Sequence, residues 1–265
     1  MTQPVTVLTI AGSDSGGGAG LQADLKAFAL NGVFGTSVVT VLTAQNSAEI
    51  RAIEKVPAAF VQSQLDAVLA DLPVAAVKTG MLASEETVRT VAANVARLPN
   101  LVVDPVLVSS DGAKLFPSTV DRAYVEGLFP HAAVITPNIR EATILTGREI
   151  RTDDDLAAAA TDLGRTGARC VVVKGGGRPG GEAVDAVWHD GTVRFLRSPW
   201  VATRNNHGTG CTFAATTAAL LARRVPVQDA LDEAKRYVQA AIERGAAWQI
   251  GAGHGPLGWP TAEDH

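Results

Sequence analysis

The strongest constraint on the fold is the alternation of short, almost wholly apolar runs with stretches of helical periodicity. TVLTIAG at 6–12, TSVVTVLTAQN at 36–46 and CVVVKGG at 170–176 have the length and composition of strands buried on both faces. Between the first two lies LQADLKAFALNG at 21–32, whose apolar residues recur at helical spacing. Such alternation is typical of parallel sheets covered by helices. We therefore predict an α/β fold with a central, mostly parallel β-sheet and helices on both faces.

One segment departs from this pattern. In AVDAVWHDGTVRFLR at 183–197, the pair Asp190-Gly191 separates two β-rich runs, which predicts a β-hairpin at one edge of the sheet. The chain shows no internal repeat and no linker of low complexity, so we expect residues 1–265 to form a single domain. Further helices are predicted from periodicity at 57–72, 84–97, 118–128, 211–223 and 226–246.

Charge and composition narrow the classes of function. The chain of 265 residues has a formal net charge of −4, which does not favour nucleic acid or an anionic membrane as the main partner. No run approaches the roughly 18 consecutive apolar residues of a membrane-spanning helix. Two cysteines, Cys170 and Cys211, give no disulfide framework, and no basic leader precedes the first apolar run. We expect a cytoplasmic enzyme.

Polar residues end four of the apolar runs. They are Lys78, Asp104, Asn138 and Lys174. In open α/β sheets, ligands bind outside the carboxyl ends of the strands. Each residue by itself could merely mark the place where a strand meets solvent. Together they predict a binding cleft at that edge of the sheet.

The glycine-rich stretch TIAGSDSGGGAG at 9–20 follows neither common nucleotide-binding pattern. Gly12 and Gly17 have the glycine spacing of a phosphate-binding P-loop, but no lysine follows to complete that motif. The G-x-G-x-x-G pattern of dinucleotide sites is also absent. The stretch still places exposed backbone amides and one acid, Asp14, at the start of a helix. It could let a ligand approach the backbone closely, or it could be only a sharp turn from strand to helix.

A second glycine-rich stretch, TRNNHGTGC at 203–211, enters a long apolar helix. Successive amides at a helix N-terminus bind anions, and here they suit a transferring phosphoryl group. Cys211 lies in the first turn, where we expect the pKa of its thiol to be lowered. It could act as a general base or a nucleophile, or it could simply pack as a small apolar residue. We interpret Cys170 as a core residue and His207 as a residue that shapes the loop.

Asp104 and Glu141 are candidate ligands for magnesium, which uses few protein carboxylates together with the phosphates of a substrate. In other roles, Asp104 could cap a strand end and Glu141 could lie on a solvated helix face. Lys174, followed by two glycines, offers a cation beside exposed amides and fits contact with the phosphates of a nucleotide. The chain contains no Cys/His spacing typical of metal sites and no serine-hydrolase motif.

The combination of these motifs resembles the hydroxymethylpyrimidine/phosphomethylpyrimidine kinases of thiamine biosynthesis, within the ribokinase-like superfamily. The resemblance covers essentially the full chain and is carried by AGSDSGGGAG, TAQN, KTGML, VVDPV, ITPNIREA, VVVKGG, NHGTGC and GHGP. It implies a ribokinase-like fold and phosphorylation of 4-amino-5-hydroxymethyl-2-methylpyrimidine by ATP, then of the resulting monophosphate. It further implies Mg²⁺ as cofactor and a homodimer as the assembly.

The resemblance also implies roles for individual residues on the acceptor side. Gln45 in TAQN matches the glutamine that binds the aminopyrimidine ring, and Met81 and Val106 match apolar contacts to the same ring. The glycine-rich loop matches the acceptor wall and contributes Gly12, Asp14 and Gly20 to the expected substrate site.

On the donor side, the resemblance places polar residues around magnesium and the ATP phosphates. For the metal these are Asp104 and Glu141, and for the phosphates Asn138 and Lys174. Cys211 occupies the position where ribokinase has an aspartate base, so the resemblance implies that it is the catalytic base. The expected anion hole consists of Gly208, Thr209 and Gly210.

Departures from the family pattern leave details of substrate fit open near Thr79 and residues 109–114. The family commonly reads KIGML and NTHGTGC, whereas this chain has Thr79 and Asn206 at the differing positions, and residues 109–114 also vary. The nearest alternative is a pyridoxal kinase of the cysteine-bearing type. A sugar or nucleoside kinase is a weaker alternative, and a non-catalytic pyrimidine-binding regulator on the same fold is an alternative from another class.

Overall fold

The computed structural model describes residues 3–109, 112–177 and 181–260. Strands and helices alternate along the chain, as the sequence predicts. The strands are β1 (Thr6–Asp14), β2 (Phe34–Gln45), β3 (Ile50–Lys55), β4 (Val74–Thr79), β5 (Leu101–Val103), β6 (Val134–Ile135), β7 (Cys170–Gly177), β8 (Glu182–His189) and β9 (Thr192–Pro199). The α-helices are α1 (Gly20–Leu30), α2 (Ala58–Asp71), α3 (Glu85–Ala92), α4 (Ser118–Gly127), α5 (Ile139–Thr146), α6 (Asp153–Gly164), α7 (Thr209–Ala222) and α8 (Val227–Gly245).

The nine strands within the described residues form one sheet in the order β3-β2-β1-β4-β5-β6-β7-β8-β9. From β2 to β7 neighbouring strands are parallel, which confirms the predicted fold class. The predicted hairpin is also confirmed, since β8 and β9 pair antiparallel through a turn in which Asp190 and Gly191 both have positive φ. Such a pair of positive φ values matches the twist of the flanking strands.

The opposite edge of the sheet carries a strand that the sequence analysis did not predict. Strand β3 pairs antiparallel with β2, and every one of its residues is exposed. Its sequence, IRAIEK, mixes charged and apolar residues because it has no buried face. Without that face there was no apolar pattern to recognise.

The apolar strands are explained by two cores, one on each side of the sheet. Along β7, Val171 and Val173 face the core beneath helices α2 to α6, whereas Val172 faces the core beneath α1, α7 and α8. Successive side chains of a strand point to opposite faces, so a strand buried on both sides must be apolar throughout. Cys170 is fully buried in the second core, as predicted.

The helix ends agree with the predicted boundaries to within a few residues. Pro57 is the N-cap of α2 rather than its first residue, and the predicted helix over 84–97 is instead α3 followed by a short 3₁₀ turn at Val95–Arg97. Among the helices described, none is long and apolar enough to span a lipid bilayer.

Candidate active site

The polar residues at the ends of the parallel strands come together at one edge of the sheet. Asp104 directly follows β5, and its Oδ1 accepts a hydrogen bond from Lys174 Nζ on β7 at 2.8 Å. Asn138 follows β6 and forms a parallel bridge with Lys174. The structure brings these three residues together along one cleft, and ligand binding there stays a prediction. Lys78, at the end of β4, instead lies fully buried beneath the cleft and pairs with Asp24 of α1.

Asp104 and Lys174 are held in place by further contacts. Thr136 Oγ1 donates to the same Asp104 oxygen at 3.0 Å. A Cβ added at Gly210 would lie 2.9 Å from Lys174 Nζ, so a larger residue there would displace the ammonium group from its present position. The ammonium group therefore lies directly beside the first turn of α7.

Glu141 adds a second carboxylate beside Asp104. It is the third residue of α5 and closes a capping box with Asn138, and its oxygens also accept the backbone N–H groups of Asn138 and Leu107. Burial and the charge of Asp104 raise the pKa of Glu141 to about 7, although Lys174 and the two N–H groups oppose the shift. Its position is therefore that of a buried helix cap, not of a solvated helix face.

These two carboxylates face one lysine, so the cluster has an excess of negative charge when both are ionised. Within the residues that the structure describes, no group of three or more His, Cys, Asp or Glu side chains could hold a metal ion. A magnesium ion here would need most of its oxygen ligands from water and from the substrate's phosphates. That is the usual arrangement for Mg²⁺, so the residues fit the ion.

The predicted anion hole is a helix N-terminus built on glycines. Gly208 is the N-cap of α7 and has a φ of +88°, and a Cβ added there would lie 1.9 Å from Gly18 O. The backbone amides of Thr209 and Gly210 belong to the first turn, where the helix dipole is positive; they have no acceptor within the helix, and Thr209 N–H donates to Asn206 O just before it at 3.3 Å. Both glycine-rich stretches of the sequence thus meet at this point.

Cys211 follows in the same turn, but its thiol does not behave as predicted. Burial raises its pKa to about 11, and Asp24 and Asp104 add to the increase, while Lys78 and the backbone N–H of Gly20 oppose it. The prediction of a lowered pKa is therefore wrong, because loss of solvation outweighs the helix terminus and the nearby lysine. Its role as a catalytic base stays a prediction.

The first glycine-rich loop is shaped by Asp14. Its carboxylate accepts the backbone N–H groups of Gly16, Gly18 and Ala19 at 2.8 to 3.1 Å, and it also contacts His207 Nε2 at 3.0 Å. Burial alone would raise the pKa of Asp14, but these hydrogen bonds lower it below its usual range. Asp14 therefore holds the shape of the loop, and a direct contact with substrate stays a prediction.

A cavity of about 120 Å³ lies between this loop and the N-terminus of α7. The structure brings together here all the residues predicted for the acceptor side. Gly12 is required because a Cβ there would lie 2.6 Å from Val41 Cγ1. Gly20 is required because its φ is +57° and a Cβ would lie 2.5 Å from Gly12 O. The lining includes Gly12, Asp14, Gly20, Gln45, Met81 and Val106, together with Cys211 and His207.

A second cavity of about 210 Å³ lies on the far side of Lys174, between β7, β8 and α8. It contains an ion pair that the sequence analysis missed, in which Lys235 Nζ lies 2.8 Å from Asp185 Oδ2. Asp185 also accepts the Gly175 N–H at 3.0 Å and so holds the chain beside Lys174. The one available signal was an aspartate within the apolar run of β8.

The departures from the family pattern have different surroundings. Thr79 is fully buried and its carbonyl accepts the N–H of Asp104, so it supports the cleft from beneath. Asn206 Oδ1 lies 3.1 Å from His254 Nδ1 on the surface. Within the varied stretch 109–114, residues 110 and 111 lie outside the described residues.

Fold and site together resemble those of small-molecule kinases of the ribokinase-like class, with a cavity beside the glycine-rich N-terminus of α7. The phosphomethylpyrimidine kinase family model matches residues 14–258, and the chain belongs to this family. A hydroxymethylpyrimidine/phosphomethylpyrimidine kinase from Rhizobium meliloti is 47% identical over 252 residues, which cover 94% of this chain and 95% of that protein.

Two further similarities bear on function. A thiamine biosynthesis bifunctional protein from Geobacter sulfurreducens is 48% identical across 95% of this chain, which spans only 51% of that longer protein. Among solved structures, the ADP complex of pyridoxal kinase from Bacillus subtilis has a TM-score of 0.88 and 36% identity, covering 97% of this chain and 98% of that one.

Proposed function

We propose that the protein uses ATP to phosphorylate 4-amino-5-hydroxymethyl-2-methylpyrimidine on its hydroxymethyl group, and then phosphorylates the monophosphate to the diphosphate. The observation that carries this proposal is the position of Cys211. It lines the acceptor cavity and also the adjoining cleft that contains Asp104, Asn138 and Lys174. An alcohol in the first space would therefore face a phosphoryl group in the second.

The acceptor cavity suits a small flat ring. Met81 and Val106 supply apolar walls, and Gln45 supplies a carboxamide that can pair with a ring nitrogen and an adjacent amine. A pyrimidine with one exocyclic amine offers that pattern of one acceptor beside one donor. Gly12 and Gly20 let backbone lie against the ring where side chains would fill the space.

On the donor side, Lys174 and the amides of Gly208, Thr209 and Gly210 would hold the transferring phosphoryl group, whose charge is spread over three oxygens. Asn138 lies at the same edge of the sheet, within reach of the phosphates. Asp104 and Glu141 would hold Mg²⁺, which neutralises phosphate charge. The ATP base and ribose would occupy the cavity between β7, β8 and α8.

Cys211 is proposed as the base that removes the hydroxyl proton in the first step. Because burial keeps its pKa near 11, the thiol is protonated at neutral pH, and it must first release its proton to solvent before it can accept the proton of the hydroxyl group. Lys78 beneath it is the cation that makes this loss less costly. In the second step the acceptor is already a phosphate oxygen, so positioning matters more than a base.

The test is product analysis with ATP, Mg²⁺ and the pyrimidine alcohol, which should yield the monophosphate and then the diphosphate. The Cys211→Ala variant should slow the first transfer by about 10²-fold or more and the second by much less. Equal and mild losses in both single-turnover rates would exclude the base assignment. The absence of any phosphorylated pyrimidine from the unmodified protein would exclude the function.

A pyridoxal kinase activity is the second candidate, favoured by the close structural similarity to the Bacillus subtilis pyridoxal kinase. Pyridoxal also carries a hydroxymethyl group on a flat ring of similar size. Comparison of kcat/KM for the two alcohols decides between them. A clear preference for pyridoxal would replace the proposed substrate.

We also propose a homodimer and a cytoplasmic location. The edge strand β3 and the neighbouring surface expose apolar side chains, with Leu42, Ile53 and Phe60 at 50%, 42% and 61% exposure. An edge strand with such neighbours is suited to pairing with a second copy. Two free cysteines suit a reducing compartment. Light scattering at several protein concentrations measures the assembly, and a monomeric mass throughout would contradict the dimer.

A further inference from the structure

His207 links the two glycine-rich loops, and its contacts determine more than loop shape. It comes from the stretch that begins the anion hole, and its backbone N–H is held by Gly255 O. Its ring packs against the opposite loop, where a Cβ at Gly18 would lie 2.6 Å from His207 Cδ2. One ring nitrogen, Nε2, contacts both Asp14 Oδ2 at 3.0 Å and the carboxamide of Gln45 at 3.2 Å.

The contact with Asp14 fixes the proton on this ring. The carboxylate accepts three backbone N–H groups, which favour its ionised form, and an ionised carboxylate can only accept hydrogen bonds. A nitrogen 3.0 Å from such an oxygen must carry a hydrogen. His207 is therefore protonated at Nε2, whether or not its other nitrogen is also protonated.

That proton constrains the carboxamide of Gln45. If the amide nitrogen faced His207, two donors would meet at 3.2 Å. A rotation of 180° about the last side-chain bond exchanges the amide nitrogen and oxygen, and the oxygen then shares the single Nε2 hydrogen of His207 with Asp14 Oδ2 in a three-centre hydrogen bond.

The hydroxyl group of Thr43 independently indicates the same orientation of the Gln45 carboxamide. Its hydroxyl has one hydrogen, which goes to the carbonyl of Ser13 at 2.9 Å, because a carbonyl can only accept. Toward Gln45, 3.4 Å away, the hydroxyl then offers only lone pairs, and these require an N–H group opposite. The same rotation that satisfies His207 also places the amide N–H₂ group opposite Thr43.

We propose that His207 is a positioning residue: held by Asp14 and protonated at Nε2, it keeps the Gln45 oxygen toward itself and the N–H₂ group toward Thr43 and the acceptor cavity. The second amide hydrogen is then available to a ring nitrogen of the substrate, and the second lone pair of the oxygen is available to the adjacent amine. This role rests on the proposed function. It makes His207 a determinant of specificity for rings that present an acceptor at this point, and it couples the acceptor wall to the anion hole.

The protonation state is tested on the unmodified protein without substrate. Long-range ¹H–¹⁵N correlation spectra of protein labelled with ¹⁵N-histidine report which ring nitrogens carry hydrogen, and His207 is assigned through its backbone. We expect a protonated Nε2. A neutral ring with its only hydrogen on Nδ1 would overturn the proposal, and this result does not depend on which substrate the enzyme uses.

Kinetics test the positioning role. Glutamine places an N–H₂ group near the position of His Nε2, so His207→Gln should keep the pyrimidine KM within about threefold, whereas His207→Leu should raise it about tenfold with little change in the KM for ATP. His131→Leu, on a surface turn at the opposite end of the sheet, is the control and should change neither constant. Equal losses in the Gln and Leu variants, or a parallel rise in the ATP KM, would overturn the role.

If the unmodified protein phosphorylates no pyrimidine, the proposed function fails, and the spectra alone decide the protonation state of His207.

Discussion

Two of the lysine–aspartate pairs near the carboxyl edge of the sheet, Lys78–Asp24 and Lys174–Asp104, have the same distance of 2.8 Å between nitrogen and oxygen. Lys78 and Asp24 have side chains with no exposed surface, whereas those of Lys174 and Asp104 are 15% and 4% exposed. Both lysines come from parallel strands. The difference lies in what surrounds them, because α1 covers the first pair and the second opens into the cleft.

The two pairs also differ in charge balance. Lys78 and Asp24 neutralise each other, and Thr9 Oγ1 adds a hydrogen bond to the carboxylate. The open pair has a second carboxylate, Glu141, as neighbour. The buried pair, in which the two charges balance, supports the fold and contributes to the electrostatic potential at Cys211. The open pair, beside a second carboxylate and so with excess negative charge, leaves a place for a cation and a phosphate.

The largest expected effect comes from breaking the buried pair. Burial lowers the pKa of Lys78, but Asp24, Cys211 and Asp104 together raise it above its usual value, so the lysine is charged. Lys78→Met leaves the Asp24 carboxylate buried without its partner, and the free energy of unfolding should fall by about 3–5 kcal/mol. Urea denaturation followed by circular dichroism measures it. The double variant Asp24→Asn/Lys78→Met should recover most of the loss, and a double variant as unstable as the single one would contradict this account.

Breaking the open pair should affect catalysis more than folding. Lys174→Met removes the cation beside the anion hole, so kcat/KM for ATP should fall by about 10²- to 10³-fold. Its unfolding free energy should change by less than half of the loss in Lys78→Met. Lys55→Met, on the exposed strand β3, is the control for removal of a lysine. A variant at 174 that keeps its activity would exclude the lysine from the phosphate site.

The pH dependence of the free energy of unfolding should report the protonation of Glu141, the second carboxylate beside the open pair. The folded protein raises the pKa of Glu141 from 4.5 to about 7, so it binds the proton more tightly than the unfolded chain does. This contribution to stability is fully present below pH 4.5 and is lost as the pH rises through 7. The total loss in the free energy of unfolding is no more than about 3 kcal/mol. Glu141→Gln should remove this part of the slope, and saturating Mg²⁺ with ATP should reduce it. An identical slope in Glu141→Gln, measured by denaturation from pH 4.5 to 8, would contradict the assignment.

The two pairs also show how far sequence reasoning reaches. Lys174 and Asp104 were predicted to lie together because each ends an apolar strand, and parallel strands end at the same edge. Asp24 gave no such signal, since it lies within an amphipathic helix and its partner is 54 positions away. Strand β3 was missed because it has no buried face. The direction of the Cys211 pKa shift was wrong because position in a helix is visible in sequence, whereas the depth of burial is not.

The smallest expected effect is on the pKa of the Cys211 thiol, which lies between the two pairs. A change in this pKa compares the two pairs most directly. Lys78 lowers the pKa of this thiol more than Asp24 raises it, so the double variant Asp24→Asn/Lys78→Met should raise that pKa. Asp104 also raises it, so Asp104→Asn should lower it. Each change should be less than about one pH unit, since the charges of a pair largely cancel and the open cleft is partly hydrated.

The rate of alkylation of Cys211 as a function of pH measures both changes. Cys170 is fully buried in the core and its pKa is raised to about 12, and a Cys170→Ala background removes any contribution from it. We expect the two variants to shift the alkylation midpoint in opposite directions from that background. Shifts in the same direction would mean that the thiol responds to loosened packing around α1 rather than to the charges of the two pairs.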